Sequence, residues 1–309
     1  MTALICGSYA FDTIMVFPDR FQRHILPDQV HMLNVSFLVP ELRREFGGCA
    51  GNVAYNLKLL GGEGYGMGTV GHDFAPYAAW LDECGLSRRF LREVPAFTAQ
   101  AYITTDVDDN QITAFHPGAM SHSHENTVPR DAGITLGIVS PDGRDGMLQH
   151  AEQFADAGIP FIFDPGQGLP MFDGDDLTRF VELSNWVALN SYEAAMLCER
   201  TGLTIDQVAE RCEAVVVTAG GEGSTIYADG EVIVIPAAKP TAVVDPTGCG
   251  DAYRAGLIYG LMNDCDWETT GRIASLMGAI KIAHPGTQNH TFTRDGFAER
   301  FKAEFSYAL

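Results

Sequence analysis

The sequence predicts an α/β fold: a central, mostly parallel sheet with helices on both faces, beside a small β-sheet lid. From about residue 134, short apolar runs alternate with helical stretches such as DGMLQHAEQFADAG and AYRAGLIYGLMND. Near-continuous apolar strands are typical of parallel sheets that helices cover on both faces. Two earlier β-rich segments, about 13–46 and 94–118, mix polar with apolar residues. We expect them to form the smaller sheet, next to the ligand crevice.

The first half of the chain is expected to contribute to both sheets. ALICGSYAFDTIMVF predicts a buried strand with a short extension, and QVHMLNVSFLV (29–39) a half-exposed strand. GGCAGNVAYNLKLLGG (47–62) has apolar residues at helical spacing between glycines, which predicts a helix with a glycine-rich entrance. AQAYITTDVDDNQITAFHPG predicts a hairpin whose strands are joined at DVDDNQ.

The second half is expected to build the rest of the parallel sheet. Its apolar β-type runs are GITLGIVS, IPFIFDPG, WVALNSYE, AVVVTAGGEGS and AVVDPTGCGD. In such sheets, ligands bind beyond the carboxyl ends of the strands. The loops FDPGQG, LNSYE, TAGGEG and DPTGCGD all follow these runs, so we expect them to converge on one crevice.

Composition excludes several classes of partner. The formal net charge is -20, which disfavours nucleic acid and anionic membranes as main partners. The seven cysteines have neither zinc-site nor disulfide spacing, which predicts free thiols in a reducing cytoplasm. The apolar start lacks a basic segment and contains Asp12, so we interpret it as a core strand and not a signal peptide. The sequence has no uninterrupted apolar stretch long enough to span a membrane.

Two other motifs carry weaker signals. GMGTVG (66–71) matches a dinucleotide fingerprint, but LLGGEGY precedes it where an apolar strand is required, so the glycines are expected within a strand. SHSHE (121–125) has no third ligand in a regular frame, which favours a solvated loop over a metal site. The chain has no G-x-x-x-x-G-K-[ST] motif, which excludes a P-loop.

DPTGCGDAYRAG (245–256) carries the strongest chemical signal. Gly248, Cys249 and Gly250 would present successive N–H groups at a helix N-terminus, which can hold an oxyanion. Asp251 follows in the first turn, where it is either an acidic cap or a general base. Small residues on both sides favour the close approach of a phosphate. An exposed thiol at a helix N-terminus is also expected to have a lowered pKa, so we expect Cys249 to be alkylated readily.

These motifs resemble those of the PfkB family of carbohydrate and nucleoside kinases. DPTGCGD resembles its second signature, D-T-x-G-A-G-D, and GGCAGNVAYNLKLLGG its first. NSYE matches N-x-x-E, and TAGGEG matches T-x-G-x-x-G. GSYAFD, SFLVPELRREFGGCAGN and TTDVDDNQITAFHPGAM are similar to the bacterial adenosine kinase and nucleoside kinase branch. The resemblance implies a single ribokinase-like kinase domain over 1–309.

The resemblance also implies an activity and an acceptor site. The reaction would be ATP-dependent phosphorylation of the 5′-hydroxyl of a nucleoside, adenosine first. Asp251 would be the general base, and the backbone of residues 248–250 the anion hole. Asp12 would accept hydrogen bonds from the ribose hydroxyls, and Tyr102 and Phe115 would stack on the base. The substrate-binding residues implied are Ser8, Asp12, Ser36, Gly48, Asn52, Tyr102, Phe115 and Gln167.

A nucleotide site and two cation sites follow from the same resemblance. ATP would contact Thr218, Gly220, Gly223 and Gln288. Asn190 and Glu193 would bind Mg²⁺ through water near the ATP phosphates, although a helix cap explains their spacing equally well. Carbonyl groups of Asp245, Thr247 and Gly286 would hold a monovalent cation such as K⁺.

Several alternatives remain open at this point. Gly168 stands where the mycobacterial-type adenosine kinases carry a second glutamine, which leaves room for inosine, guanosine or cytidine as acceptor. A ribokinase-like or fructokinase-like sugar kinase is the near alternative, and a non-kinase dinucleotide-binding protein the distant one. The exposed lid sheet could also pair with a copy of itself in a homodimer.

Overall fold

A computed structural model describes residues 1–25, 32, 34–108 and 110–309. The strands are β1 Thr2–Cys6, β2 Ala10–Val16, β3 Glu41–Gly47, β4 Glu63–Gly71, β5 Phe90–Val94, β6 Ala99–Thr105, β7 Gln111–His116, β8 Leu136–Val139, β9 Phe161–Phe163, β10 Trp186–Asn190, β11 Ala214–Thr218, β12 Ser224–Ala228 and β13 Glu231–Ile235. The α-helices are α1 Cys49–Leu60, α2 Ala75–Glu83, α3 Arg144–Ala157, α4 Gly174–Leu183, α5 Ser191–Thr201, α6 Ile205–Ala209, α7 Cys249–Met262, α8 Trp267–Lys281 and α9 Arg294–Phe305.

The large sheet confirms the predicted α/β class. Within the described residues it has nine strands in the order β13-β12-β11-β10-β9-β8-β1-β4-β5. Neighbours pair in parallel except β11 with β12 and β12 with β13, which are antiparallel. Because side chains alternate along a strand, Ala3 and Ile5 of β1 pack in one apolar core, while Leu4 and Cys6 pack in another. Helices α1, α2 and α7 line the first core, and α3, α4 and α5 line the second.

The small sheet has the order β3-β2-β6-β7 and confirms the predicted β-sheet lid. The extension after β1 is itself β2, which pairs with β3 in antiparallel and with β6 in parallel orientation. β6 and β7 form the predicted hairpin, although Asp109 of its turn lies outside the described residues. β7 stands at the edge of the sheet with exposed Ile112 and Phe115, and a homodimer through this lid stays a prediction.

Two predicted strands are wrong. Of the run 29–39, residues 29–31 and 33 lie outside the described residues, and 34–39 are irregular; the strand of this region is β3. AVVDPTGCGD contains no strand either, and its two valines are exposed. The chain leaves the sheet after β13, so this segment has no neighbouring strand and instead crosses to the end of α8. There the N–H groups of Val244 and Asp245 bond to the carbonyl of Ile282, at 2.8 and 3.1 Å.

The structure also shows where the two weaker motifs, GMGTVG and SHSHE, lie. GMGTVG lies within β4, between β1 and β5, as its flanks predict. SHSHE lies in a 3₁₀ helix, Gly118–Glu125, and not in a loop, and His122 bonds to Glu125 one turn later at 2.9 Å. Across the residues described, no group of three or more metal-ligating side chains is present. No helix among them is both long and apolar enough to cross a membrane.

Candidate active site

The glycine-rich entrances of α1 and α7 meet at the centre of the site. Gly48 precedes α1 with φ 88°, and Gly248 precedes α7 with φ 77°, backbone conformations that favour glycine. Asn52, in the first turn of α1, donates from Nδ2 to Oδ2 of Asp251 at 2.7 Å. The two signature motifs, far apart in the sequence, therefore share one hydrogen bond.

Asp251 is placed to exchange a proton near neutral pH. Burial raises the pKa of its carboxyl to about 7. The negative charge of Asp164 raises this pKa too, while the hydrogen bond from Asn52 and the charge of Arg254 lower it. A group whose pKa lies near the working pH is well suited to general base catalysis.

A layer of buried side chains holds Asn52 in place. Gln288 donates from Nε2 to Oδ1 of Asn52 at 2.9 Å and to the hydroxyl of Tyr77 at 2.6 Å. The indole N–H of Trp80 donates to Oε1 of Gln288 at 2.9 Å. Gln288, predicted to contact ATP, is thus buried with its amide already bonded to three side chains. We revise its role to positioning Asn52, and through it Asp251.

The start of α7 retains part of the predicted anion hole. The N–H of Cys249 bonds to the carbonyl of Pro246 at 3.1 Å and is therefore already used. The N–H groups of Gly248 and Gly250 have no hydrogen-bond partner among the described residues. A Cβ built on Gly250 would meet nothing within 4 Å, so the space on the side where a side chain would stand is open. The two glycines, and not Cys249, carry the free donors.

A buried ion pair that the sequence interpretation missed lies behind Asp251. Arg254, one turn along α7, donates from Nε and Nη2 to Oδ1 of Asp164, at 3.1 and 3.0 Å. Its Nη2 also lies 4.0 Å from Oε2 of Glu193. The two side chains of the pair are only 5% and 6% exposed. An aspartate at the end of the apolar run FIF was the available signal, because an unpaired buried charge is costly.

The prediction of a reactive Cys249 is wrong. Burial raises the pKa of its thiol to about 11, although the positive charge of Lys281 opposes this. The side chain lies under the first turn of α7, with Sγ 3.9 Å from the carbonyl oxygen of Asp245. The loss of solvent around the thiol, together with the negative charges of Asp245 and Asp251, outweighs the field of the helix N-terminus. All seven cysteines are free, as predicted.

We therefore expect Cys249 to resist alkylation. At about pH 7.5 a thiol with so high a pKa is almost entirely protonated, and the thiolate is the nucleophile. Iodoacetamide should leave the Cys249 peptide unmodified over the time in which it consumes added glutathione, as measured by mass spectrometry. Labelling of the folded protein at the glutathione rate would contradict this placement of the thiol.

Asp12 lies in β2 on the same face of the lid as Glu45, and it is near Asp245. Burial raises the pKa of its carboxyl to about 6, and the charges of Glu45 and Asp245 raise it further. Gly47 makes room for this carboxylate, since a Cβ there would lie 2.5 Å from Oδ2 of Asp12. Gly48 instead lets two backbone segments approach each other, because a Cβ there would lie 2.5 Å from the carbonyl oxygen of Ser8.

The other residues predicted to bind the nucleoside lie in different parts of the structure. Ser8 is buried, and its hydroxyl accepts from the N–H of Cys49 at 3.2 Å, which caps α1. Ser36 and Gln167 are exposed, the former on an irregular segment and the latter in a 3₁₀ helix after β9. Their contacts with substrate stay predictions.

Tyr102 and Phe115 do not flank the same binding site, because they lie on opposite faces of the lid sheet. Asp12 is paired with Ala101, and Ala101 with Phe115, so Asp12 and Phe115 share a face of the lid. Tyr102 follows Ala101 and therefore points to the opposite face, because side chains alternate along a strand. Phe115 remains a candidate to stack on a base, whereas Tyr102 is turned away from the Asp12 face.

The predicted nucleotide residues lie at neighbouring strand ends. Asn190 and Thr218 are paired in register at the ends of β10 and β11. Gly220 and Gly223 follow with φ 56° and 96°. Asn190 and Glu193 form a complete capping box, in which Glu193 accepts from the Asn190 N–H at 2.8 Å. The helix-cap interpretation thus holds, and it does not exclude a role toward Mg²⁺.

The oxygen atoms here suit a hydrated divalent cation. Burial raises the pKa of Glu193, and the neighbouring charge of Asp164 raises it further. A second cation near these carboxylates would relieve that repulsion, and Mg²⁺ often binds proteins through retained waters. The chemistry of Asn190 and Glu193 therefore fits Mg²⁺ held through water.

The predicted site for a monovalent cation does not fit K⁺. The carboxylate of Asp245 accepts from the N–H groups of Thr247 and Gly286, both at 2.9 Å. Its carbonyl oxygen, however, accepts from Nζ of Lys281 at 2.7 Å. A side-chain ammonium thus occupies a position where the resemblance predicts a metal ion.

Comparison with known proteins agrees with this geometry. A family model described as "pfkB family carbohydrate kinase" matches residues 10–294. The chain belongs to the pfkB family. A nucleoside kinase of Methanocaldococcus jannaschii is 32% identical to this pfkB family member over 273 residues, which cover 87% of this chain and 89% of the relative.

Solved structures confirm the ribokinase-like fold of this pfkB family member. Burkholderia thailandensis nucleoside kinase in complex with inosine superposes with a TM-score of 0.90 at 52% identity, covering 99% of both chains. Another structure of that enzyme, in complex with ADP-inosine, has a TM-score of 0.88 at 55% identity, covering 99% of this chain and 97% of the other. A Thermotoga maritima ribokinase, with a TM-score of 0.82 at 19% identity and coverage of 97% and 99%, shares the fold.

Proposed function

We propose that this protein is a nucleoside kinase, which transfers the γ-phosphoryl group of ATP to the 5′-hydroxyl of a nucleoside, adenosine first. The observation that carries this proposal is Asp251, held by Asn52 at 2.7 Å beside the free N–H groups of Gly248 and Gly250. A base next to an anion hole is the arrangement that phosphoryl transfer to a hydroxyl requires. The similarity to a nucleoside kinase bound to inosine supports a nucleoside as acceptor.

In this mechanism the protein positions groups and stabilises charge. The 5′-oxygen attacks the γ-phosphorus, the bond from that phosphorus to the bridging oxygen breaks, and ADP leaves. Asp251 takes the proton of the hydroxyl. The N–H groups of Gly248 and Gly250 donate to the transferred group, and such donors each contribute roughly 10²–10³-fold in rate. Asn190 and Glu193 would hold Mg²⁺ through water, and Mg²⁺ neutralises phosphate charge.

The acceptor class follows from the Asp12 face. A carboxylate there can accept hydrogen bonds from two vicinal hydroxyls, and Phe115 on the same face offers a flat apolar surface to a base. The inosine complex of the Burkholderia thailandensis enzyme favours inosine as a further acceptor. Guanosine and cytidine are proposed as further acceptors, ranked below adenosine and inosine.

One coupled assay tests the proposal. ADP release from Mg·ATP is measured with adenosine, inosine, guanosine, cytidine, ribose and fructose as acceptors. We expect turnover with nucleosides, adenosine fastest, and little with the free sugars. Turnover with ribose or fructose alone would make the protein a sugar kinase, and no turnover with any acceptor would remove the kinase proposal.

Asp12→Asn should weaken nucleoside binding and discrimination at the ribose. A hydrogen bond to a charged group contributes about 1.5–3 kcal/mol, so we expect KM for adenosine to rise by roughly 10- to 100-fold. Wild type should reject 2′-deoxyadenosine by a similar factor, and the variant should treat both nucleosides alike. If Asp12→Asn keeps the wild-type preference for adenosine, the carboxylate does not bind the ribose hydroxyls.

A further inference from the structure

Lys281 is a fully buried lysine at the last position of α8, with 0% of its surface exposed. Lysine is almost never fully buried unless its charge is paired. Its Nζ donates to the carbonyl oxygens of Asp245 at 2.7 Å and His284 at 3.2 Å. The Asp245 carbonyl is one of those for which the resemblance predicts a monovalent cation, and His284 lies two positions before another of these residues, Gly286.

The surroundings of this ammonium group are those of a cation site. Carbonyl oxygens are its hydrogen-bond partners, and the carboxylates of Asp245 and Asp251 lie close enough to favour its charged form. Burial lowers the pKa of Lys281 overall, and these negative groups offset only part of the cost of burying its charge. Only desolvation opposes the charged form here.

Lys281 is also tied to the backbone that forms the anion hole. Asp245 opens the segment that leads to Gly248 and Gly250, and its carboxylate holds the N–H groups of Thr247 and Gly286. An ammonium on the Asp245 carbonyl therefore joins the end of α8 to the start of α7. It also places one positive charge near the carboxylate of Asp251.

We propose that Lys281 supplies, as part of the chain, the positive charge that a monovalent cation would bring, so that the reaction needs no K⁺. This inference rests on the proposed kinase function. Lys281 is a positioning residue: it acts through the Asp245–Asp251 segment and touches neither substrate. An alkylammonium and K⁺ carry the same charge, and both take carbonyl oxygens as partners, so one can replace the other.

The test compares wild type with Lys281→Ala and Lys281→Met. Kinase activity is measured in tetramethylammonium chloride and in KCl or NH₄Cl at equal ionic strength. Wild type should be unaffected by the change of salt. Lys281→Ala should lose roughly 10- to 100-fold in kcat without K⁺, the size of a lost charged hydrogen bond, and recover in KCl or NH₄Cl. Lys281→Met, whose apolar side chain fills the same space, should lose activity without recovery.

A second readout does not depend on turnover. The melting temperature of Lys281→Ala should rise in KCl relative to tetramethylammonium chloride, because an ion that binds the folded state stabilises it. Wild type and Lys281→Met should melt at the same temperature in both salts. If no acceptor is turned over, the kinase proposal fails and this melting series alone decides the role of Lys281.

Three results would overturn the inference. The first is wild-type protein that K⁺ activates or stabilises, since the cation would then bind beside the lysine. The second is Lys281→Ala with wild-type activity in the absence of K⁺. The third is equal recovery of Lys281→Ala and Lys281→Met, which would make the salt effect general. Should neither variant fold, the response of wild type to K⁺ decides the matter.

Discussion

Asp251→Asn is expected to lower kcat by roughly 10²–10⁴-fold, the usual contribution of a general base, while KM for the nucleoside changes little. The amide has nearly the shape of the carboxylate, and its oxygen can still accept from Nδ2 of Asn52, which lies at 2.7 Å in the wild-type structure. The site should therefore stay assembled without its base. Steady-state kinetics with adenosine measure both constants.

The pH dependence gives the same residue a second test. With the pKa of Asp251 near 7, the base is protonated below that pH, so kcat of wild type should fall as pH drops through about 7. The residual activity of Asp251→Asn should lack this limb. A wild-type rate that stays level down to about pH 5 would contradict the assignment of Asp251 as the base.

The free energy of unfolding should change with pH in the opposite direction to kcat. Because the folded pKa of Asp251, about 7, lies above the ordinary value of 3.8, the folded state binds more protons between these two pH values. Ionisation of this carboxyl therefore destabilises the fold as pH rises from about 4 to 7. Asp251→Asn cannot ionise, so relative to wild type its free energy of unfolding should improve over this window.

Arg254→Met should cost about 3–5 kcal/mol of folding free energy, the usual penalty for leaving one partner of a buried ion pair uncompensated. The change strands the carboxylate of Asp164, which is 6% exposed and whose two hydrogen bonds from Arg254 are 3.0 and 3.1 Å long. Asp164→Asn with Arg254→Met removes both charges, so the double variant should be less destabilised than the two single losses added together. Urea unfolding of the four proteins measures this coupling.

An exposed pair supplies the matched control. Arg88 and Asp82 are bonded at 2.9 and 3.0 Å, but their side chains are 47% and 57% exposed. Arg88→Met should cost less than about 1 kcal/mol, because solvent screens such pairs. Two results would show that burial does not determine the strength of the Asp164–Arg254 pair. One is a double variant whose loss of unfolding free energy equals the sum of the two single losses, and the other is an equal loss in Arg254→Met and Arg88→Met.

Short sequence patterns were sufficient to predict much of this fold and the identity of the reacting groups. The helix entrance at Gly48 and the small residues before Asp251 follow from short motifs, because glycine geometry and helix termini are set by a few neighbouring residues. The lid hairpin follows in the same way from alternation and turn chemistry. The predicted strand in AVVDPTGCGD is wrong because apolar character alone cannot show whether a neighbouring strand is present to pair with.

Contacts between distant segments depend on tertiary packing, and these arrange the site. Asn52 and Asp251 are 199 positions apart, and Asp164 and Arg254 are 90 apart. The face on which Tyr102 lies depends on the register of three strands, and the commitment of Gln288 to Asn52 depends on the packing of α1 and α2. Lys281 shows the difference most clearly. In the sequence it is one helical lysine among others. Its burial against the carbonyl of Asp245 is seen only in the folded chain, because burial depends on how all the helices and strands pack together.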